Sequence, residues 1–203
     1  MSEQYFTVNI RAYLDKDRPT YIGEDSLYEL LSDFSCPNNP DVEHFLIHNA
    51  IDFTKKDQSV TYLVFNAGDA SIAGYFSLAV KPISVNATNI SRTMAKKLAR
   101  VSILDENTGS YTTAAYLIAQ LGKNYSLPRE KRIDGSVLLE FALEAIQGLR
   151  YSVGGVMEFL ECEDNRFLMD FYSRNKFKMF DVRTTTPVHD GEPHRLNQLL
   201  KFI

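Results

Sequence analysis

The chain contains no apolar run approaching the roughly 20 residues that a membrane span requires, so a spanning helix is not expected. It has only two cysteines, Cys36 and Cys162, too few and too far apart for a disulfide framework or a zinc knuckle, and both are expected as free thiols. Positive charge is not in excess. The 22 basic and 26 acidic residues give a formal charge of -4, which argues against a protein that binds nucleic acid simply by neutralising its phosphates. A local basic patch is still compatible with that balance. Met1-Ser2-Glu3-Gln4 has neither the basic start nor the apolar stretch of a secretory signal, so a cytoplasmic protein is expected. No internal repeat or low-complexity linker interrupts the chain, and residues 1–203 read as a single domain with one core.

Hydrophobic residues make up 44% and charged residues 24%, the balance of an ordinary globular protein, so the information lies in their order. Phe6 to Leu14 alternates as a first strand. Asp25-Ser26 caps a helix whose Leu27, Leu30, Leu31 and Phe34 recur at three- and four-residue spacing until Cys36-Pro37. A second helix starts near Asp41 and carries Val42, Phe45, Leu46, Ala50 and Phe53 on one stripe. Val60 to Phe65 and Ile72 to Val80 flank the turn residues Asn66-Ala67-Gly68-Asp69 and predict a hairpin. Gly74 in its second arm marks a bulge or a close backbone approach, or is simply tolerated.

Arg92 to Arg100 reads as a surface helix whose charges are either solvated or a binding patch. Ala114 to Tyr125 predicts a buried strand, and Leu138 to Leu149 a helix with Gly148 near its end. Val156 to Leu160 predicts a strand, Asp164 to Asn175 a helix, and Lys178 to Thr186 and Leu196 to Ile203 two last strands. This order predicts an α/β fold in which helices cover both faces of a mixed sheet.

Two stretches could carry chemistry. At Arg132-Ile133-Asp134-Gly135-Ser136-Val137 a helix begins, and a helix start offers unpaired amides and a positive dipole end to a phosphate. Gly135 allows close approach, Ser136 adds a hydroxyl, and Arg129, Lys131 and Arg132 add charge. The alternative is that Asp134 merely caps its own helix. In the second stretch, Asn165 and Tyr172 lie two turns apart, on nearly the same helical face. A phenol there could protonate a departing thiolate, and the asparagine amide could bond an extended ligand. The alternative is that Phe167, Phe171 and Tyr172 are packing aromatics.

The order of elements and these motifs together resemble the GNAT acetyltransferase superfamily, most clearly over residues 59–180. Arg132-x-x-Gly135-x-Val137 resembles the family's Q/R-x-x-G-x-G/A phosphate loop. Asn165 through Tyr172, followed by Asn175-Lys176-Phe177, resembles its N-x-x-A-x-x-x-Y-x-x-x-G-F stretch. Phe34-x-Cys36, Val42-x-x-Phe45-Leu46-x-x-x-Ala50 and Ile72-Ala73-Gly74-Tyr75-Phe76 are similar to the front half of a branch that includes toxin acetyltransferases. Val137 stands where the pattern has a small residue, Leu168 where it has alanine, and Lys176 where it has glycine; Ser126 to Lys131 are extra residues before the loop.

The resemblance implies a GNAT-like, mostly antiparallel sheet and an N-acetyltransferase that moves acetyl from acetyl-CoA to a primary amine of a small molecule, peptide or protein. It implies that Gln120, Leu121 and Gly122 offer backbone groups to the pantetheine arm. Arg132, Ile133, Asp134, Gly135, Ser136 and Val137 would surround the pyrophosphate, and Asn165 would contact the coenzyme. Tyr172 becomes the general acid, and Glu161 or Glu163, at the end of a strand, the base; either glutamate could equally be a solvated strand-end charge. No membrane partner is implied and a homodimer stays open. Nucleic acid enters only as tRNA, if the protein acetylates aminoacyl-tRNA as a toxin. A non-catalytic binding module on the same fold is the contrasting alternative.

Other constellations are poorer. His44 and His48 have a usable metal spacing, but Phe45 stands where a zincin needs glutamate and no third ligand is evident, so no metal is expected. Cys162, between Glu161 and Glu163, is expected to be a buried and inert thiol. His189 and His194 are placed in a polar loop.

Overall fold

Strand-forming runs and helical stripes alternate along this chain, and the computed structural model, which describes residues 4–185 and 194–203, turns them into two compact units. One consists of Met1–Ala79 and Ile118–Ser152, the other of Val80–Leu117 and Val153–Ile203.

In the first unit the edge strand β1 (Tyr5–Asn9) pairs antiparallel with β2 (Val60–Asn66), Tyr5 opposite Asn66. The sequence predicts a strand to Leu14, but a one-turn helix α1 (Arg11–Leu14) intervenes. The Asn9 side-chain oxygen accepts the Arg11 N–H at 3.0 Å, and Ile10, fully buried, has helical dihedrals; a local side-chain bond thus outcompetes the ladder. Helix α2 (Gly23–Ser32) buries Leu27 and Leu31. Asn39 caps α3 (Pro40–His44), with proline at its first position, where the missing N–H costs nothing. A π-helical segment (Phe45–Asn49) then leads into α4 (Ala50–Lys55), so the expected second helix is present with a widened middle turn.

The predicted hairpin joins β2 to β3 (Ile72–Asn86), six residues longer than the sequence suggests. Its register shifts between Val64, opposite Gly74, and Phe65, opposite Ile72, which is a bulge. A Cβ on Gly74 would also lie 2.7 Å from the Gly122 carbonyl oxygen, so both structural roles foreseen for Gly74 hold together. The sheet of this unit runs β1-β2-β3-β5, β5 being Ser110–Lys123. Helix α6 (Gly135–Val153) buries Leu138, Leu139, Ala142 and Ile146 at helical spacing. Ile10, Leu27, Leu31, Phe34, Leu46 and Tyr75 form the centre of this unit's core.

In the second unit, α5 (Arg92–Leu98) follows a Ser91 cap, and the two-residue strand β4 (Leu104–Asp105) pairs with the start of β5. Strand β6 (Met157–Glu163) and helix α7 (Arg166–Arg174) precede β7 (Lys178–Thr185) and β8 (His194–Phe202). The sheet here runs β3-β5-β6-β8-β7, so the last strand is inserted between its two predecessors and pairs antiparallel with both. His194 opens β8 instead of lying in a loop, while Thr186 and His189 lie outside the described residues. The core of this unit gathers Ile83, Val85, Leu98, Met157, Phe159 and Leu200. Among the described residues no helix is long and apolar enough to cross a membrane.

Candidate functional site

The candidate donor groups of the first unit run from the end of β5 to the start of α6. Gln120 and Leu121 are half-buried, and Gly122 is enforced by packing. A Cβ there would lie 2.5 Å from Val42 Cγ1 and 2.8 Å from Tyr75 Cε1, inside any real contact. The buried Asn124 then fastens the chain. Its backbone N–H donates to Ala73 O (2.9 Å) and its side-chain amide to Ile72 O (2.8 Å). Its Oδ1 accepts from the N–H groups of Ser35 and Ser126, both at 3.1 Å, and from the Ser126 hydroxyl at 2.9 Å.

Two of the cations beside the turn, Arg132 and Lys131, are already engaged. Arg132 donates through Nε to Leu127 O (2.8 Å) and through Nη2 to Tyr125 O (2.9 Å), with its guanidinium 5.2 Å from the Tyr125 ring centre. It therefore closes the extra Ser126 to Lys131 segment into a loop. Lys131 Nζ lies 2.7 Å from Asp69 Oδ2. The Lys131 ammonium and the Ser71 hydroxyl and N–H hold the Asp69 carboxyl well below the usual carboxylate range.

Ile133 is fully buried and anchors the turn. Asp134 Oδ1 accepts from the Ser136 hydroxyl (2.6 Å) and from its N–H (2.8 Å), and these two bonds lower the Asp134 pKa, with the Lys123 ammonium adding a smaller pull. One amide that a phosphate would use is thus occupied by a carboxylate. Gly135 and Val137 are half-buried beside it. The turn can receive an anion at a positive helix end, provided that Asp134 gives up Ser136.

In the second unit Asn165 caps α7, its Oδ1 accepting the Phe167 N–H at 2.8 Å. The helix closes through the Phe177 N–H to Tyr172 O (3.1 Å) and the Lys176 N–H to Ser173 O (2.9 Å), with Lys176 at φ +71°. That left-handed position is the one where the family pattern has glycine. Tyr172 is buried, edge-on to Phe171 and Phe177 at centroid distances of 5.0 and 5.9 Å. Burial, and secondarily Cys162, push its phenol well above the usual range, so it carries its proton throughout physiological pH. Burial also raises the Cys162 thiol to about 11, with Asp164 and Glu163 contributing. The thiol stays protonated and inert, as expected, although burial leads where neighbouring charge was foreseen.

Glu161 stands on the opposite face of β6 from Cys162, because successive strand residues alternate. Its Oε1 accepts from Gln198 Nε2 at 2.6 Å, and Arg183 Nη1 lies 3.3 Å from Oε2. With Lys81, Ser84, Phe159, Arg183 and Gln198 it lines a cleft of about 620 Å³. The structure therefore joins Asp134 to Ser136 in one unit and, in the other, sets Tyr172 by Cys162 and Glu161 on the far side of the same strand. Sequence reasoning missed Asp69, Lys123, Arg183 and Gln198 as neighbours of the candidates, and missed Asn124 as the residue that ties the loop down. Gln198 is the cross-strand register partner of Glu161, a relation that no local pattern encodes. His44, the last residue of α3, and His48, in the π-helical segment, have ring centres 4.6 Å apart, and no group of three metal-ligating side chains forms among the described residues.

No protein-family model matches the sequence, and no curated protein does. Solved structures match over nearly the whole chain. AtaT complexed with acetyl-methionyl-tRNAfMet is 15% identical with a TM-score of 0.63, the match covering 98% of this chain and 94% of that one. A tyrosine-to-phenylalanine mutant of KacT is 16% identical with a TM-score of 0.64, covering 98% and 95%. A tyrosine-to-phenylalanine mutant of the AtaT toxin, bound to the C-terminus of the antitoxin AtaR and acetyl-CoA, is 14% identical with a TM-score of 0.59, covering 98% and 94%. The likeness establishes the fold: a GNAT-like α/β arrangement with a mostly antiparallel sheet, as the motifs implied.

Proposed function

We propose that the protein transfers an acetyl group from acetyl-CoA to a primary amine, with Tyr172 as the general acid. The observation that carries this reading is a tyrosine on α7 that is buried and held in its protonated form, at the position the family motif gives to the proton donor. In support, structures of the same fold hold acetyl-CoA or an acetylated aminoacyl-tRNA. In this reading the backbone of Gln120, Leu121 and Gly122 holds the pantetheine arm. Residues 132–137 take the pyrophosphate once Asp134 releases the Ser136 N–H, and Asn165 adds a coenzyme contact. As the amine nitrogen bonds the acetyl carbon and the carbon–sulfur bond breaks, Tyr172 gives its proton to the sulfur. The ammonium loses a proton to water, which passes it to solvent directly or by way of Glu161 on the far face of β6, and solvent returns one to Tyr172, so the enzyme is restored.

The acceptor we favour within this class is an aminoacyl-tRNA, because AtaT, which has this fold, was captured with acetyl-methionyl-tRNAfMet. A cytoplasmic location suits both substrates, and an antitoxin would be the expected protein partner. Calorimetry with acetyl-CoA tests the donor. Tyr172→Phe should leave that affinity within about twofold while turnover falls by about 10²–10⁴. Absence of binding at millimolar acetyl-CoA would refute the donor assignment. Binding without transfer to any free amine or aminoacyl-tRNA would instead make the protein a binding module.

A further inference from the structure

In a chain with net charge -4, four lysines gather around one cleft of about 190 Å³ in the second unit. Lys97 comes from α5, Lys176 and Lys178 from the junction of α7 and β7, and Lys201 from β8; the hydroxyl residues Ser91 and Thr93 line the same cleft. None of the lining residues is acidic. Lys201 has a countercharge beneath the cleft, the fully buried Glu158, whose Oε1 lies 2.8 Å away as an ion pair without the alignment of a good hydrogen bond. Lys201 Nζ also sits 5.3 Å from the Phe177 ring centre, and Lys97 Nζ 4.9 Å from that of Phe202. Aromatic rings thus brace two of the four ammoniums where ordinary surface lysines would swing freely. With Lys201 countered by Glu158, the lysines Lys97, Lys176 and Lys178 share the cleft with no acid in its lining, and an anion relieves the repulsion among them.

We propose that this cleft docks the phosphodiester backbone of a structured RNA. The inference deepens the tRNA version of the function above and rests on it for the identity of the RNA. The chemistry of the cleft favours this partner. Lysines are point charges that contact phosphates without reading sequence, and here they come from separate elements around a concavity, as phosphates repeated along a strand require. A phosphopeptide is usually gripped by guanidinium forks, and the lining contains no arginine. A flat membrane surface would not enter a cleft of this size.

Fluorescence anisotropy with labelled tRNA, titrated between 50 and 200 mM salt, tests the assignment. The Lys97→Gln/Lys178→Gln variant should bind about tenfold more weakly at 100 mM salt, with the slope of log affinity against log salt reduced by about 1–2. Lys97→Glu/Lys178→Glu should lose more. Acetyl-CoA affinity by calorimetry should be unchanged in both. If a double variant does not melt cooperatively, Lys178→Gln alone is used, with a slope change of about 1 expected. Unchanged tRNA affinity and slope in the charge-reversed protein would overturn the proposal, as would absence of tRNA binding at 50 mM salt. Tighter binding of polyglutamate or of phosphatidylserine vesicles than of tRNA would also overturn it, in favour of an acidic protein or a membrane. Loss of acetyl-CoA binding with the lysine-dependent tRNA binding intact would sink the transfer reaction and leave the cleft standing.

Discussion

Residues 122–137 of the first unit and 161–177 of the second begin helices in the same way and are supported differently. Asp134 and Asn165 each cap their own helix, each accepting the N–H two residues ahead at 2.8 Å. The first turn is braced by distant chain: Asn124 reaches β3 and Ser35, Lys131 reaches Asp69, and Gly122 lies against Val42 and Tyr75. The second has near neighbours in sequence around α7, a cap at one end, a left-handed residue at the other and the Phe171–Tyr172–Phe177 ring cluster between. Its distant ties come from β7 and β8, where Asn197 donates to Asp164 Oδ1 at 3.1 Å and Gln198 and Arg183 engage Glu161. The lesson is that a phosphate-loop motif can be legible while its polar groups are already committed to the protein. In the proton-donor motif, by contrast, the distant ties fall on Glu161, Asp164 and Met169, while Tyr172 itself is set by the rings of its own segment.

Substitutions can break this contrast, the largest effects falling in the braced stretch. Gly122→Ala should destabilise the protein by about 3 kcal/mol in urea unfolding, because the added methyl meets Val42 and Tyr75 on two sides. A loss under about 1 kcal/mol would show that the packing there yields. Asn124→Ala should cost about 2 kcal/mol, since it strips bonds from Ile72 O and from the N–H groups of Ser35 and Ser126. Equal sensitivity of residues 161–177 to single truncations would erase the contrast.

The two caps sharpen it further. Asp134→Ala and Asn165→Ala should each cost about 1 kcal/mol of stability. In calorimetry they should move acetyl-CoA affinity in opposite directions, Asp134→Ala strengthening it by freeing the Ser136 N–H and Asn165→Ala weakening it. The Asp134 pKa is lowered on folding, so its cap stabilises the protein above the unfolded carboxyl value of about 3.9 and is lost as pH falls through the folded value. Asp134→Asn should therefore flatten the acid limb of a melting curve measured from pH 5 to 2. The smallest effect is expected at Lys176→Gly, which should stabilise the protein by about 0.5 kcal/mol by relieving the left-handed strain at φ +71°. A destabilisation there would mean that the lysine side chain contributes packing that outweighs its backbone strain.

Much of the architecture was legible because it is local. The hairpin of β2 and β3 and the stripe of α6 each follow from turn chemistry or periodicity within a few residues, whereas the capping role of Asn165 at α7 was not read from the sequence. The misread elements were those where a short-range bond or an insertion altered the backbone, as when Asn9 turned the predicted strand into α1, or where the helix through Phe45–Asn49 widened into a π turn. The candidate residues were found as individuals more readily than as a constellation. Arg132 and Lys131 look alike in sequence as phosphate-binding cations, and only their partners, the Tyr125 and Leu127 carbonyls and Asp69, distinguish loop closure from a cross-link to the β2–β3 turn.

By itself the sequence determined the order of the elements, the two helix starts and the inertness of Cys162. These depend on side-chain size, charge and spacing along one element. Tertiary structure alone decided that β8 enters between β6 and β7, which puts Gln198 opposite Glu161 and brings Lys201 to the same cleft as Lys97, Lys176 and Lys178. It also decided that Asp134 points at Ser136. Strand order and side-chain pairing are settled by which distant surfaces bury best together, a choice made over the whole chain that no window of residues contains.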